Sequence, residues 1–308
     1  MSTTLFWMVV QVLAVVAVAP FFDGVARMIR AKMQARKGPP DPFQTYRDLY
    51  KLFKRGRVYP KNAHWVFKYA PYIMFGVVAT MLAALPITYA TDFKAGVVSD
   101  LFVILYLGAF FRFIFGVASN DSGNAFAAIG GSREQMIGVF VEPVIVLCLI
   151  VVMLLAKTSN LVEIQYMVKH WQIGYIYPSF AIASIAFLWA MYVEMARNPY
   201  DLAEAEQELQ EGVLGEYSGS DLAISHMTML IKQFVMIGLF LSIFEPWNVE
   251  FPLLALLIYI IKAGVFYVGA VFIDNFGPRY KLLSSFKRKA NFALVIAFMA
   301  VITYVLGA

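Results

Sequence analysis

Apolar residues in this chain come in long unbroken runs, without the alternating period that marks half-buried strands. Eight runs stand out, at 4–22, 65–90, 99–118, 135–156, 173–196, 223–245, 252–273 and 290–307. Each approaches or exceeds the roughly 20 residues that a helix needs to cross about 30 Å of hydrocarbon. Helices satisfy their own backbone hydrogen bonds there, which isolated strands cannot do. The pattern predicts an all-α polytopic integral membrane protein with about eight transmembrane helices. It also predicts one transmembrane domain over 1–308, with no soluble domain, internal repeat or low-complexity tract. The first run has no basic leader and no small-residue cleavage site, so it is expected to stay as an anchor.

Between the runs the chain turns polar, and the longest such stretch is 24–64. Tyr46, Leu49, Tyr50 and Phe53 recur there at helical spacing, flanked by Arg47, Lys51, Lys54 and Arg55. This predicts an amphipathic helix lying in the membrane interface. Two compatible uses follow for it: contact with anionic lipid, or a docking floor for a cytoplasmic partner. The floor would use Arg36, Gln44, Arg47, Asp48 and Lys51, with Arg133 from the next loop on that side. Loops 24–64, 119–134, 197–222 and 274–289 carry 18 of the 25 Lys and Arg, and the opposite loops carry three. The positive-inside rule therefore predicts a multi-pass protein of the cell membrane, with both termini outside and the acidic and basic loops cytoplasmic.

Composition sharpens this picture at three points. The chain is 61% hydrophobic and 15% charged, with mean hydropathy +0.70, so lipid must be its solvent. The net charge of +5 reflects the loop bias and carries no nucleic-acid inference. Cys148 stands alone, and His64, His170 and His226 fall in loops or at a helix end. No cofactor is thus expected in this chain: there is no cysteine set for an iron–sulfur cluster or zinc, and no pair of buried axial ligands for haem.

The candidate chemistry is charge where charge is expensive. Arg112 and Glu142 are predicted about 10 Å deep, Lys232 about 13 Å deep and Lys262 near the midplane, with Glu194 close to the cytoplasmic end of its helix. A charge at that depth costs at least about 2.5–3.5 kcal/mol unless it finds a partner or water. Directly after the fifth run comes "NPYDLAEAEQELQEG", 198–212, with Asp201, Glu204, Glu206, Glu208 and Glu211 and no cation. Read as a helix over 201–211, it puts Asp201, Glu204, Glu208 and Glu211 on one stripe beside Leu202, Ala205 and Leu209, with Glu206 beyond. Such a stripe serves either as a solvated acidic face or as the mouth of a polar path into the membrane.

The stretch "PYDLAEAEQELQEGVLGEYSG" (199–219) resembles the signature loop of a complex I membrane subunit, often called subunit 1. That subunit joins the quinone-reducing module to the ion-pumping arm. "ARKGPPDPFQTYRDLYKL" and "AIGGSREQMIGVFVEP" fall in the same family order, so the resemblance spans nearly the whole chain. The compact "KGPPDPFQ" element and the "FVEPV" run are similar to the branch found in energy-converting hydrogenases, including formate hydrogenlyases and ferredoxin-dependent membrane-bound hydrogenases.

The resemblance implies a membrane-anchoring and coupling subunit that is not itself redox-active. It would dock hydrogenase large and small subunits and a ferredoxin-like iron–sulfur subunit, which would hold the NiFe centre and the clusters. Hydrogen evolution from ferredoxin would then drive proton or sodium movement in antiporter-like membrane subunits. By family position Glu142, Glu194, Asp201, Glu204, Glu206, Glu208, Glu211 and Glu216 match an acidic channel. Arg112, Lys232 and Lys262 join the expectation from depth alone. The alternatives are the same role in a nickel-free sulfur-reducing or quinone-reducing complex, or a stand-alone ion transporter.

Overall fold

The computed structural model describes residues 2–89, 98–203, 206–210, 212–247, 249, 251–277 and 286–307. Helix α1 runs Ser2–Met33, α2 Gln44–Phe53, α3 Trp65–Ala84, α4 Leu101–Asp121, α5 Ala125–Ala156 and α6 Leu161–Lys169. They are followed by α7 Pro178–Glu194, α8 Glu206–Leu209, α9 Gly219–Phe244, α10 Pro252–Asp274 and α11 Lys287–Val305. Seven of these are long and apolar enough to span a membrane. The run expected at 173–196 becomes α7, shorter because the chain turns through Gly174 and enters its helix at Pro178, whose missing N–H costs nothing at a first position. Its 17 residues still measure about 25 Å.

Local chemistry sets the boundaries. Asp100, Asn124 and Asn160 cap α4, α5 and α6, each side chain accepting from the backbone N–H two residues on, at 2.8, 2.9 and 2.9 Å. Lys157, at φ 55°, ends α5 in the left-handed region. Two predicted loops prove largely helical, because α1 continues to Met33 and α5 starts at Ala125.

The expected helix over 201–211 does not form, and this corrects the predicted acidic stripe. Among the described residues only Glu206–Leu209 is helical, and Gln210 (φ 50°) and Gly212 (φ 56°) turn the chain out of it. Gly212 is required: a Cβ there would lie 2.6 Å from the Ala203 carbonyl oxygen. The loop is folded against the bundle, with Leu202, Ala203 and Leu209 buried.

Helix α9 is the most enclosed span, packing on α1, α2, α3, α6, α7 and α10. Helix α4 bridges α3 to α5, and α5 continues to α7 and α11. Lipid tails are as apolar as leucine, so close fit rather than water exclusion holds such helices together. Between α7 and α9 the fit is aromatic: Phe187 meets Phe240 and Phe244 at ring separations of 6.3 and 5.6 Å, and Phe180 meets Phe244 at 5.0 Å. Large apolar side chains face outward from the outer helices, among them Leu13, Val265 and Phe292, as a lipid-facing surface requires. The chain is a multi-pass membrane protein.

The interfacial helix is where its period predicts. Thr45 and Leu49 of α2 are buried, and Tyr50 and Phe53 are more than half exposed. Thr45 donates to Asp23 of α1 at 2.8 Å, Arg27 of α1 pairs with Asp48 at 2.7 Å, and the Tyr46 hydroxyl donates to the Ala17 carbonyl. These contacts fix α2 across the end of the bundle, called the α2 end below.

Candidate functional site

The buried charges converge where α4, α5, α7 and α9 meet. Arg112 of α4 has a side chain only 7% exposed and lies between three carboxylates. It donates to Glu142 of α5 and Glu194 of α7, and its Nε is 3.9 Å from Glu134 of α5. Lys232 of α9 closes the group, 3.2 Å from Glu194 and 3.7 Å from Glu134, with its ammonium 5.0 Å from the Phe111 ring centre. Three carboxylates thus face two cations, one negative charge in excess.

Backbone shape makes room for this. Glu134, Gly138 and Glu142 are spaced four apart on α5, and the Arg112 guanidinium crosses the helix at the middle position. A Cβ on Gly138 would sit 2.6 Å from the arginine's Cδ and Nη1, so a hydrogen is all the site admits there. Gln135 secures the other side, its Nε2 donating to the Arg112 carbonyl at 2.6 Å.

Two cavities meet at the cluster. One, of about 60 Å3, is lined by Arg112, Glu142, Glu194 and Lys232 and by apolar residues of α3, α4 and α9, including Met81, Ile104 and Met236. That is room for a few waters beside groups able to bind them. The other, about 20 Å3, is lined by Glu134, Lys232, Tyr200, Asp201 and Ala203. Asp201 therefore stands at the end of a polar sequence running through Glu134 and Lys232 to Arg112, Glu194 and Glu142. A proton or a shift of a cation between carboxylates is the chemistry this arrangement can carry.

The remaining predicted residues take separate places. Glu208 pairs with Arg133 at 2.6 Å, and Asn124 donates to Glu216, so the acidic loop rests on the first turns of α5. Glu204 and Glu211 lie outside the described residues, as does the side chain of Glu206. Lys262 is not in the cluster: its Nζ donates to the Glu245 carbonyl at 2.8 Å, at the opposite end of α9. On the docking floor, Gln44 donates to Asp48 at 3.0 Å and Arg47 pairs with Asp41 at 2.6 Å, while Arg36 and Lys51 are exposed.

Three features have no counterpart in the sequence pattern. Glu134 falls within a predicted loop, although its spacing of eight from Glu142 marks it once α5 is extended backward. Asp274, at the end of α10, accepts from Arg30 at 2.5 Å with Arg197 at 3.9 Å, and Arg197 stacks 4.2 Å from the Tyr267 ring centre and donates to Gln233 at 3.0 Å. Asp221 of α9, fully buried, accepts from Tyr59 at 2.7 Å and Tyr72 at 2.9 Å, with Arg57 at 3.4 Å. Burial and the Asp221 carboxylate raise the Tyr59 hydroxyl above its usual range, so it stays a donor.

A profile described as NADH dehydrogenase matches residues 6–305, nearly the whole chain. The chain belongs to this NADH dehydrogenase family. Among family relatives, formate hydrogenlyase subunit 4 of Escherichia coli (strain K12) is 39% identical over 279 residues, covering 89% of this chain and 90% of that one. Hydrogenase-4 component C of the same organism is 35% identical over 280 residues, covering 89% and 87%. An NADH-quinone oxidoreductase membrane protein of Wolinella succinogenes is 28% identical over 264 residues, covering 77% and 79%. A chain of the membrane-bound sulfane sulfur reductase, an archaeal respiratory membrane complex, shares the fold, with TM-score 0.83 and 20% identity over 97% of this chain and 99% of that one. Among the described residues of this family member, no group of three His, Cys, Asp or Glu is placed to hold a metal ion, so no step below runs through a metal in this chain.

Proposed function

We propose that the chain is the membrane-anchoring and coupling subunit of a multisubunit energy-converting [NiFe]-hydrogenase. A redox module of hydrogenase large and small subunits and a ferredoxin-like iron–sulfur subunit docks at the α2 end, which faces the cytoplasm. The NiFe centre and the clusters reside in those partners. Antiporter-like membrane subunits carry protons or sodium ions in response. The observation that carries the reading is the cluster of Glu134, Glu142 and Glu194 around Arg112 and Lys232 in a chain 39% identical to a formate hydrogenlyase subunit.

The residues suggest how the coupling works. One unneutralised charge among buried groups is costly, so the cluster favours binding one proton. A change of charge beside the acidic loop acts on Asp201 first, and through it on Glu134 and Lys232. Protonating one carboxylate weakens its hold on Arg112 or Lys232, and the cation moves toward another. Because the five groups come from four helices, that exchange alters how α4, α5, α7 and α9 pack.

A sulfur-reducing complex without nickel is the second reading, favoured by the TM-score of 0.83 to a chain of the sulfane sulfur reductase. Metal analysis and a hydrogen-evolution assay on the assembly purified through this chain separate the two. Nickel with iron, and hydrogen from reduced ferredoxin, is the expected result. Iron without nickel moves the assignment to the sulfur-reducing or quinone-reducing relatives. An assembly with no metal and no partner would leave a stand-alone ion transporter and overturn both.

A further inference from the structure

Helices α7 and α10 flank a cavity of about 580 Å3 that the coupling mechanism does not use. Its walls include Leu188, Trp189, Tyr200, Val265, Phe266 and Gly269. The polar atoms in the wall are engaged internally: Trp189 Nε1 donates to the Tyr200 hydroxyl at 2.8 Å, and the Tyr192 hydroxyl donates to the Asn198 carbonyl. Nothing there is set to recognise a polar ligand. Leu188 and Val265 are exposed at its rim, so it opens sideways to the hydrocarbon. It runs from Val265 to Ile273 along α10, about 12 Å, close to the depth of one leaflet.

Cationic groups gather beside one end of this cavity. The Tyr200 ring, in the wall, lies 6.0 Å from that of Phe286, and Phe286 leads directly into α11. That helix opens with Lys287, Arg288 and Lys289 and has no acidic residue in its first turn. Three cations at a helix N-terminus oppose the helix dipole, which already places partial positive charge there. An anion at this point would be held by the cations and by the dipole together.

We infer that the α7–α10 cleft binds one anionic phospholipid, an acyl chain lying against Leu188, Val265 and Gly269 and the phosphate at the start of α11. The occupant braces Tyr200, beside Asp201 at the start of the acidic loop. The inference does not depend on the identity of the redox partners.

Gly269 supplies a clean test, because no atom lies within 4 Å of where its Cβ would be. Gly269→Trp should fill the cleft without disturbing the fold, which an unchanged melting temperature would verify. The assembly would be reconstituted in phosphatidylcholine vesicles containing a minority of phosphatidylglycerol, then re-extracted and its retained lipid measured. The native assembly should retain phosphatidylglycerol above its bulk share. Gly269→Trp should return retention to the bulk ratio. Neutralising Lys287, Arg288 and Lys289 together to glutamine should cut the enrichment about tenfold or more. A bulk ratio in the native assembly, or enrichment unchanged in both variants, would overturn the inference. So would cross-linking of Gly269→Cys to a partner polypeptide, which would show that a protein helix fills the cleft.

Discussion

Arg112 holds together more than any other side chain in the bundle, and its neighbours differ in what they risk. Glu194 is as buried as Arg112 itself, whereas the Glu142 side chain is 44% exposed, at the wall of the larger cavity. Arg112→Leu leaves three carboxylates around one lysine and should destabilise the chain by about 3–5 kcal/mol, read as a lowered melting temperature in detergent. Glu142→Gln keeps shape and hydrogen bonding, so the melting temperature should barely move while ion uptake per turnover in sealed vesicles falls sharply. An unchanged ratio would give Glu142 a packing role. Gly138→Ala forces a methyl against the guanidinium and should cost about 1–3 kcal/mol, with coupling lost alongside stability. Depth along the chain suffices to pick out Arg112, Glu142, Glu194 and Lys232. Lys262 passes the same criterion and lies elsewhere, because a helix apolar all round gives no clue to which way one lysine points.

Among the elements, α2 and the acidic loop contrast instructively. The face of α2 is legible because one side meets protein and the other does not, which imposes the 3.6-residue period. The start of α5 is not legible, since Gly130, Gly131 and Ser132 read as a break. The helix passes through them because Gly131 packs where a Cβ would fall 1.9 Å from Ser119 Oγ, a tertiary contact no local pattern carries. The acidic loop misleads for the opposite reason: its helical spacing is real, but Gln210 and Gly212 turn it back onto Ala203. For α2 a pH dependence follows. Partial burial works to raise Asp48, but its hydrogen bonds from Arg27 and Gln44 outweigh this and hold the carboxyl below its usual 3.8. Its contribution to docking α2 is therefore complete above that value and is lost as pH falls through the lower, folded one. Amide exchange over Gln44–Phe53 should accelerate on acidification below about pH 4, and Asp48→Asn should exchange fast throughout.

For the whole molecule, the number of crossings decides the orientation. Seven helices meet the length of a span and α7, at 17 residues, falls just short. Yet its end at Glu194 contacts Arg112 and Lys232, and α9 begins beside α2, so α7 has to cross for the chain to return to the α2 end. With α7 counted, both termini lie on the side away from α2. Alkaline phosphatase fused to either terminus should be active and a fluorescent protein dark; opposite results at the two ends would mean that α7 does not cross.

Helix α5 carries Arg133, which grips Glu208, as well as Glu134, which touches Lys232, and Glu142, which touches Arg112. From Ala125 to Glu142 it is an unbroken rod about 26 Å long, with its one proline, Pro143, placed just past the last of these contacts. A rod cannot report a force at one end without displacing the other. Any partner that tilts the loop resting on the first turns of α5 therefore moves the buried acids as a lever arm moves its load. Proton affinity inside the bundle and mechanical stress at its rim become one variable. A load that stiffened the loop would be expected to slow turnover as surely as an opposing ion gradient does.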